Sequence, residues 1–129
     1  MASKFLKKII AKDQQGLNTI SAICSESKIK ISDIKFLKNN QIFLLLIERF
    51  NKEGIKKEKK INSILKFDYI NASKSKNINQ NNKSLVLELI AIDYLKNNED
   101  YEINLIFNNN AYIALTTETI EARLEDQSE

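Results

Sequence analysis

The spacing of apolar and polar residues changes several times along the chain, and each spacing predicts a different element. Phe5 to Lys12 is short and rich in β-branched residues, which predicts an opening strand that ends at Asp13. Asp13 is a suitable N-terminal cap, and an apolar stripe with three- and four-residue spacing predicts a helix over residues 13–25. The stripe consists of Leu17, Ile20, Ile23 and Cys24.

After Ser27 the apolar residues alternate, which indicates β-structure. Ile29 and Ile31 are followed by Ile34 and Phe36 in the opposite phase, and a bulge at Asp33 would explain the change. Clusters of asparagine then mark turns, because asparagine tolerates positive φ in a chain with only two glycines. Between the turns we predict strands, and the short connections favour antiparallel pairing. The predicted strands cover residues 41–50, 61–75, 84–95, 101–107 and 111–116.

The last apolar segment, Thr117 to Asp126, predicts a short closing helix, since Ile120 and Leu124 are four residues apart and acidic residues lie in its first turn. The predicted fold class is therefore α+β and mainly antiparallel β, with about seven strands, an early helix and a C-terminal helix. This order matches the outline of a pleckstrin-homology-like split barrel. A curved antiparallel sheet packed by two helices is the alternative.

Composition narrows both the organisation and the chemistry. A chain of 129 residues, 43% apolar and 29% charged, predicts a single domain over residues 1–129. It contains no histidine and one cysteine, Cys24, which excludes His-based catalytic triads and His-ligated metal sites. We therefore expect no metal, no cofactor and no catalytic residues. The N-terminus lacks the apolar run of a signal peptide, and no stretch approaches a membrane span, so we expect a cytoplasmic protein.

The densest charge run lies at residues 52–60, in a chain whose formal net charge is +3. Clustered lysines attract phosphate-bearing partners, and an arginine fork can hold a carboxylate or a phosphate. The candidate anion-binding residues are Arg49, Lys56, Lys57, Lys59 and Lys60. The alternatives are a solvated hairpin loop for the lysines and an ordinary ion pair for Arg49.

The segment from Gln41 to Ile47 is apolar on both faces, so both faces must be covered. We favour cover by one of the helices within the core, and the alternative is a second copy of the chain. The candidate interface residues are Phe43, Leu45 and Ile47. This pattern also motivates a separate prediction, which is that the protein forms a homodimer.

Three stretches together resemble a known family. They are residues 16–22 with 31–37, then residues 43–50, and finally Thr119-Ile120-Glu121-Ala122-Arg123-Leu124-Glu125-Asp126. The chain resembles the small proteobacterial proteins grouped as domain of unknown function 2948, although that family usually has asparagine where this chain has Glu48. The resemblance implies a bacterial domain without an established activity or cofactor. It also implies that basic residues are usual at positions 56–60, 49 and 123.

These observations favour a non-catalytic binding or scaffolding domain. We expect it to present a sheet edge, or the cleft between the sheet and the closing helix, to a protein partner. The alternative is an accessory module for RNA or another polyanion that uses the basic loop at residues 52–60. A histidine-free enzyme is the third and least favoured hypothesis.

Overall fold

The computed structural model describes residues 6–50 and 60–127. Within those residues the chain forms ten strands, one α-helix and two short 3₁₀ helices, Ile31–Asp33 and Lys38–Asn40. In chain order the main elements are β1 Lys8–Ala11, α1 Gln14–Cys24, β2 Lys28–Lys30, β3 Ile34–Leu37, β4 Ile42–Phe50, β5 Lys60–Phe67, β6 Ile70–Lys76, β7 Val86–Asn97, β8 Asp100–Phe107, β9 Tyr112–Thr117 and β10 Ala122–Asp126. The prediction of a mainly antiparallel sheet is confirmed.

All ten strands belong to one antiparallel sheet, in the order β1-β10-β5-β4-β2-β7-β8-β9-β6, with β3 paired to β4 beside β2. The sheet is strongly curved, so that β6, the last strand in this order, lies beside the turn between β3 and β4. There the backbone N–H of Ile70 donates to the carbonyl of Gln41 at 2.8 Å. The curled sheet therefore encloses a core and nearly closes on itself between β3 and β6.

Side chains from every part of the sheet meet in one hydrophobic core. In β4 and β5 alternate residues point inward, as Leu45 and Leu65 do, and their neighbours face outward. The helix α1 packs mainly against β7 and contributes Leu17, Ile20 and Cys24 to the same core. None of the described residues forms a helix long and apolar enough to cross a bilayer.

The structure confirms the helix predicted over residues 13–25, which spans Gln14–Cys24. Asp13 is its N-cap, and the carboxylate of Asp13 accepts a hydrogen bond from the backbone N–H of Gly16 at 2.8 Å. The asparagine turns that follow β6, β7 and β8 are confirmed as well, because positive φ falls on Asn77, Asn98, Asn109 and Asn110. The change of phase near Asp33 is made by the 3₁₀ helix Ile31–Asp33 rather than by a bulge.

The predicted closing helix is wrong. Residues 122–126 form β10, which lies between β1 and β5. Ala122, Leu124 and Asp126 are buried while Arg123 and Glu125 are only partly buried, which is the two-residue period of a strand. Without a closing helix in the described residues, the pleckstrin-homology outline and the two-helix alternative both lose their last element. The strand count is also higher than seven, partly because residues 61–75 divide into β5 and β6 at Tyr69, whose φ is 62°.

Gly16 permits a close approach between α1 and β1. A Cβ atom at this position would lie 2.8 Å from the Cβ and 2.9 Å from the Cα of Ala11. The clash costs about 1–3 kcal/mol, while alanine gains up to about 1 kcal/mol in helix propensity. We therefore expect Gly16→Ala to lower the free energy of unfolding in urea by about 1 kcal/mol. Asn18→Ala, on an exposed position of the same helix, is the control and should be neutral or stabilising. Equal stabilisation by both changes would contradict the packing account.

Candidate functional site

A groove separates β3 from β6, and it is one of several concave sites in the described residues. β3 pairs with β4 and β6 pairs with β9, and in both strands the other edge is left without a partner strand in the described part of the chain. Both strands contribute side chains to the same groove, so the two free edges face each other. The groove is therefore the place where the curled sheet fails to close.

The groove has a volume of about 290 Å³, and its lining mixes apolar and polar side chains. Phe43 of β4 and Ile113 of β9 are buried and lie at its base, and the ring of Phe36 packs against that of Phe43 with centroids 6.0 Å apart. The apolar lining consists of Ile31, Ile34, Phe36, Phe43, Ile78 and Ile113. Four polar side chains complete the lining: Ser73, Ser75, Gln80 and Lys83.

One end of the groove is closed by hydrogen bonds. Besides the backbone contact between Ile70 and Gln41, the side-chain amide of Gln41 donates to the side-chain oxygen of Asn71 at 2.9 Å. Gln41 has φ of 59°, so the chain turns sharply into β4 at this point. The loop that carries Ile78, Gln80 and Lys83 also borders the groove.

Arg49 is buried, and it forms an ion pair with Asp126. The side chains of Arg49 and Asp126 are 2% and 0% exposed. Nε of Arg49 donates to one carboxylate oxygen at 2.9 Å, and Nη2 donates to the other at 2.7 Å. The hydroxyl of Ser63 and the backbone N–H of Lys7 donate to the same carboxylate, at 2.6 and 2.8 Å. This cluster ties β4, β5 and β10 to the residue preceding β1.

The hydrogen bonds keep Asp126 charged. Burial alone would raise the pKa of this carboxyl. Hydrogen bonds from Arg49, Ser63 and the backbone of Lys7, together with the charge of Arg49, lower the pKa by more than burial raises it, so the pKa lies below its ordinary value. A lowered pKa in the folded state means that the ion pair stabilises the fold above the ordinary carboxyl pKa. That stabilisation is lost as the pH falls through the lowered value.

The other predicted anion-binding residues fall at the edge of the described chain or outside it. Lys56, Lys57 and Lys59 lie outside the described residues. Lys60 begins β5, and its ammonium lies 3.8 Å from the carboxylate of Glu48 and 6.0 Å from the ring centroid of Phe50. The polyanion hypothesis for this loop therefore stays a prediction.

The candidate interface residues Phe43, Leu45 and Ile47 are 3%, 0% and 2% exposed. They face the protein's own core, so core packing covers this side of β4, and among them only Phe43 lines the groove. The opposite face of β4 carries Leu46, which is 48% exposed. A second copy of the folded chain could reach only that outer face, and homodimer formation stays a prediction.

The sequence profile of the DUF2948 family, described as a protein of unknown function, matches residues 7–129. The chain belongs to the DUF2948 family. The match runs from the residue before β1 through β10, so it includes every strand around the groove. Neither a curated protein nor a solved structure matches this DUF2948 chain.

Lysine dominates the charge around the groove of this DUF2948 domain. Lys74 and Lys76 lie on β6, Lys35 lies on β3, and Lys83 lines the groove itself. All four side chains belong to exposed residues, and none of them forms an ion pair within residues 6–50 and 60–127. Sequence reasoning did not single out this site. The signal that could have found it is the alternating Ser-Lys-Ser-Lys of residues 73–76, since lysine is typical of sheet edges.

Proposed function

We propose that this domain is a binding module that takes an extended segment of a protein partner into the groove between β3 and β6. The observation that carries the proposal is the edge of β6 that borders the groove: beyond the contact of Ile70 with Gln41, this edge has no partner strand in the described part of the chain. An unpaired edge presents backbone N–H and C=O groups to an incoming strand. The adjacent groove can receive every second side chain of that strand.

The shape of the site fits a peptide backbone better than a flat protein surface. The two edges that border the groove are held together at Gln41 and Ile70, and beyond that contact an extended chain would lie along both of them. Phe36 and Phe43 offer apolar surface to side chains that point inward. Main-chain hydrogen bonds would supply affinity, and the groove would select the side chains.

The test is a selection of random peptides, displayed on phage, against the full chain. Ser73→Trp places a large ring in the groove, and Asn62→Trp places the same ring on an exposed position of β5 as the matched control. We expect the enriched peptides to bind the wild type and Asn62→Trp equally, and to bind Ser73→Trp at least about tenfold more weakly, a difference of about 1.4 kcal/mol.

Circular dichroism and thermal unfolding must first show that both tryptophan variants fold as the wild type does. A selection that enriches no peptide would contradict the proposal. Enriched peptides that bind Ser73→Trp as tightly as the wild type would contradict it as well, because they would occupy another surface.

A further inference from the structure

The two faces of β6 differ in chemistry, and the register with β9 shows which residues belong to each face. Ser73 and Ser75 lie opposite Leu115 and Ile113, which are buried, so both serines face inward and line the groove. Lys74 and Lys76 lie opposite Ala114 and Tyr112 and face outward. Serine and lysine therefore alternate between the inside and the outside of this edge.

β3 shows the same division on the other side of the groove. Ile34 and Phe36 line the groove, whereas Lys35 lies opposite Leu44 on the outer face of the sheet. A strand placed in the gap would thus have apolar side chains beneath it on the β3 side and the two serines beneath it on the β6 side. Above it, Lys35 would stand on one side and Lys74 and Lys76 on the other.

The lysines around the gap are not paired with carboxylates within the described residues. Lys35, Lys74 and Lys76 form no ion pair there. Asp33 precedes β3 in the 3₁₀ helix, and Glu102 on the outer face of β8 is separated from β6 by β9. The outer side of the gap therefore carries basic side chains, with the groove beneath them.

We propose that the occupant is an extended segment in which acidic residues alternate with apolar ones, an inference that rests on the proposed function. Successive side chains of a strand point to opposite faces, so a residue that enters the groove is followed by one that stands between the lysines. Opposite charges on neighbouring strands stabilise pairing, and like charges destabilise it. Acidic side chains are therefore favoured at every second position and basic ones are excluded.

The experiment uses three synthetic eight-residue peptides that carry a fluorescent label and have valine at alternate positions. The remaining positions are all glutamate, all serine or all lysine. When the full chain is titrated into each labelled peptide, fluorescence anisotropy should show the tightest binding for the glutamate peptide, weaker binding for the serine peptide and the weakest for the lysine peptide. The dissociation constants of the glutamate and lysine peptides should differ at least about tenfold. In the double variant Lys74→Glu with Lys76→Glu the order should reverse.

The matched control is the double variant Lys8→Glu with Lys12→Glu, which changes the net charge equally at exposed positions near β1. It should keep the wild-type order, which would separate a local effect from a general attraction between opposite charges. Equal binding of all three peptides, or a reversal in the control variant as well, would overturn the inference about the occupant while leaving the peptide selection to decide the proposed function. If none of the three binds, this inference fails, and the proposed function fails too only if the random library also yields nothing.

Discussion

Replacing Asp126 with alanine is expected to lower the free energy of unfolding by about 3–5 kcal/mol, because it leaves a buried guanidinium without its carboxylate. Arg49 would lose two hydrogen bonds of 2.9 and 2.7 Å, and Ser63 and the backbone N–H of Lys7 would lose their acceptor. Urea denaturation followed by circular dichroism measures the change. The urea concentration at the midpoint of unfolding should fall, and the slope of the unfolding free energy against urea concentration should change little.

The exposed ion pair between Lys60 and Glu48 is the matched control for this prediction. Its atoms are 3.8 Å apart and its side chains are 54% and 43% exposed, and Glu48 precedes Arg49 in β4. Glu48→Ala should therefore cost less than about 1 kcal/mol. The double variant Arg49→Met with Asp126→Leu should recover much of the stability, since apolar pairs often replace buried ion pairs without loss. A cost for Asp126→Ala as small as that of Glu48→Ala would contradict the buried cluster.

The second large effect is expected at Leu124, whose replacement by alanine should cost about 2–5 kcal/mol. Leu124 is fully buried in β10 and lies opposite Ile9 of β1 and Leu65 of β5. Truncation would leave a cavity between three strands, and the surrounding sheet can close it only in part. Thermal unfolding and urea denaturation should report the same loss.

Glu125→Ala is the control for Leu124→Ala, because Glu125 is the next residue of the same strand and faces outward. We expect that change to stay within about 0.5 kcal/mol of the wild type. A strand requires this sharp alternation between neighbouring positions. Comparable losses at both positions would contradict the placement of β10 in the sheet.

The closing segment shows why part of the fold could not be predicted. Ile120 and Leu124 are four residues apart, and an even spacing satisfies both the period of a strand and that of a helix. The burial of Asp126 together with Ala122 and Leu124 identifies the segment as a strand. In the sequence alone, Asp126 resembles a polar residue at the end of a helix. Its partner Arg49 is 77 residues away, so no local pattern could identify the pair. By contrast, α1 was predictable because its cap and its apolar stripe are local features.

The candidate site was only partly predictable for a similar reason. The two-sided strand β4 was recognised as needing cover on both faces, and its residue Phe43 does reach the base of the groove. The groove itself depends on β3 and β6 meeting across the curled sheet, which is a property of tertiary structure. Ser73 and Ser75 are ordinary polar residues in sequence and acquire their role only by facing Phe36 and Ile113.

The account of function depends on one claim, that an extended peptide binds along the edges of β3 and β6. Backbone amide hydrogen exchange, measured residue by residue with and without a saturating peptide enriched by the selection, tests this claim most directly. We predict new protection within β6 and β3, at residues 71–76 and 35–37, because an added strand occupies the free backbone groups of these edges. Protection confined to other strands, or none in β6 while the peptide is bound, would contradict the account.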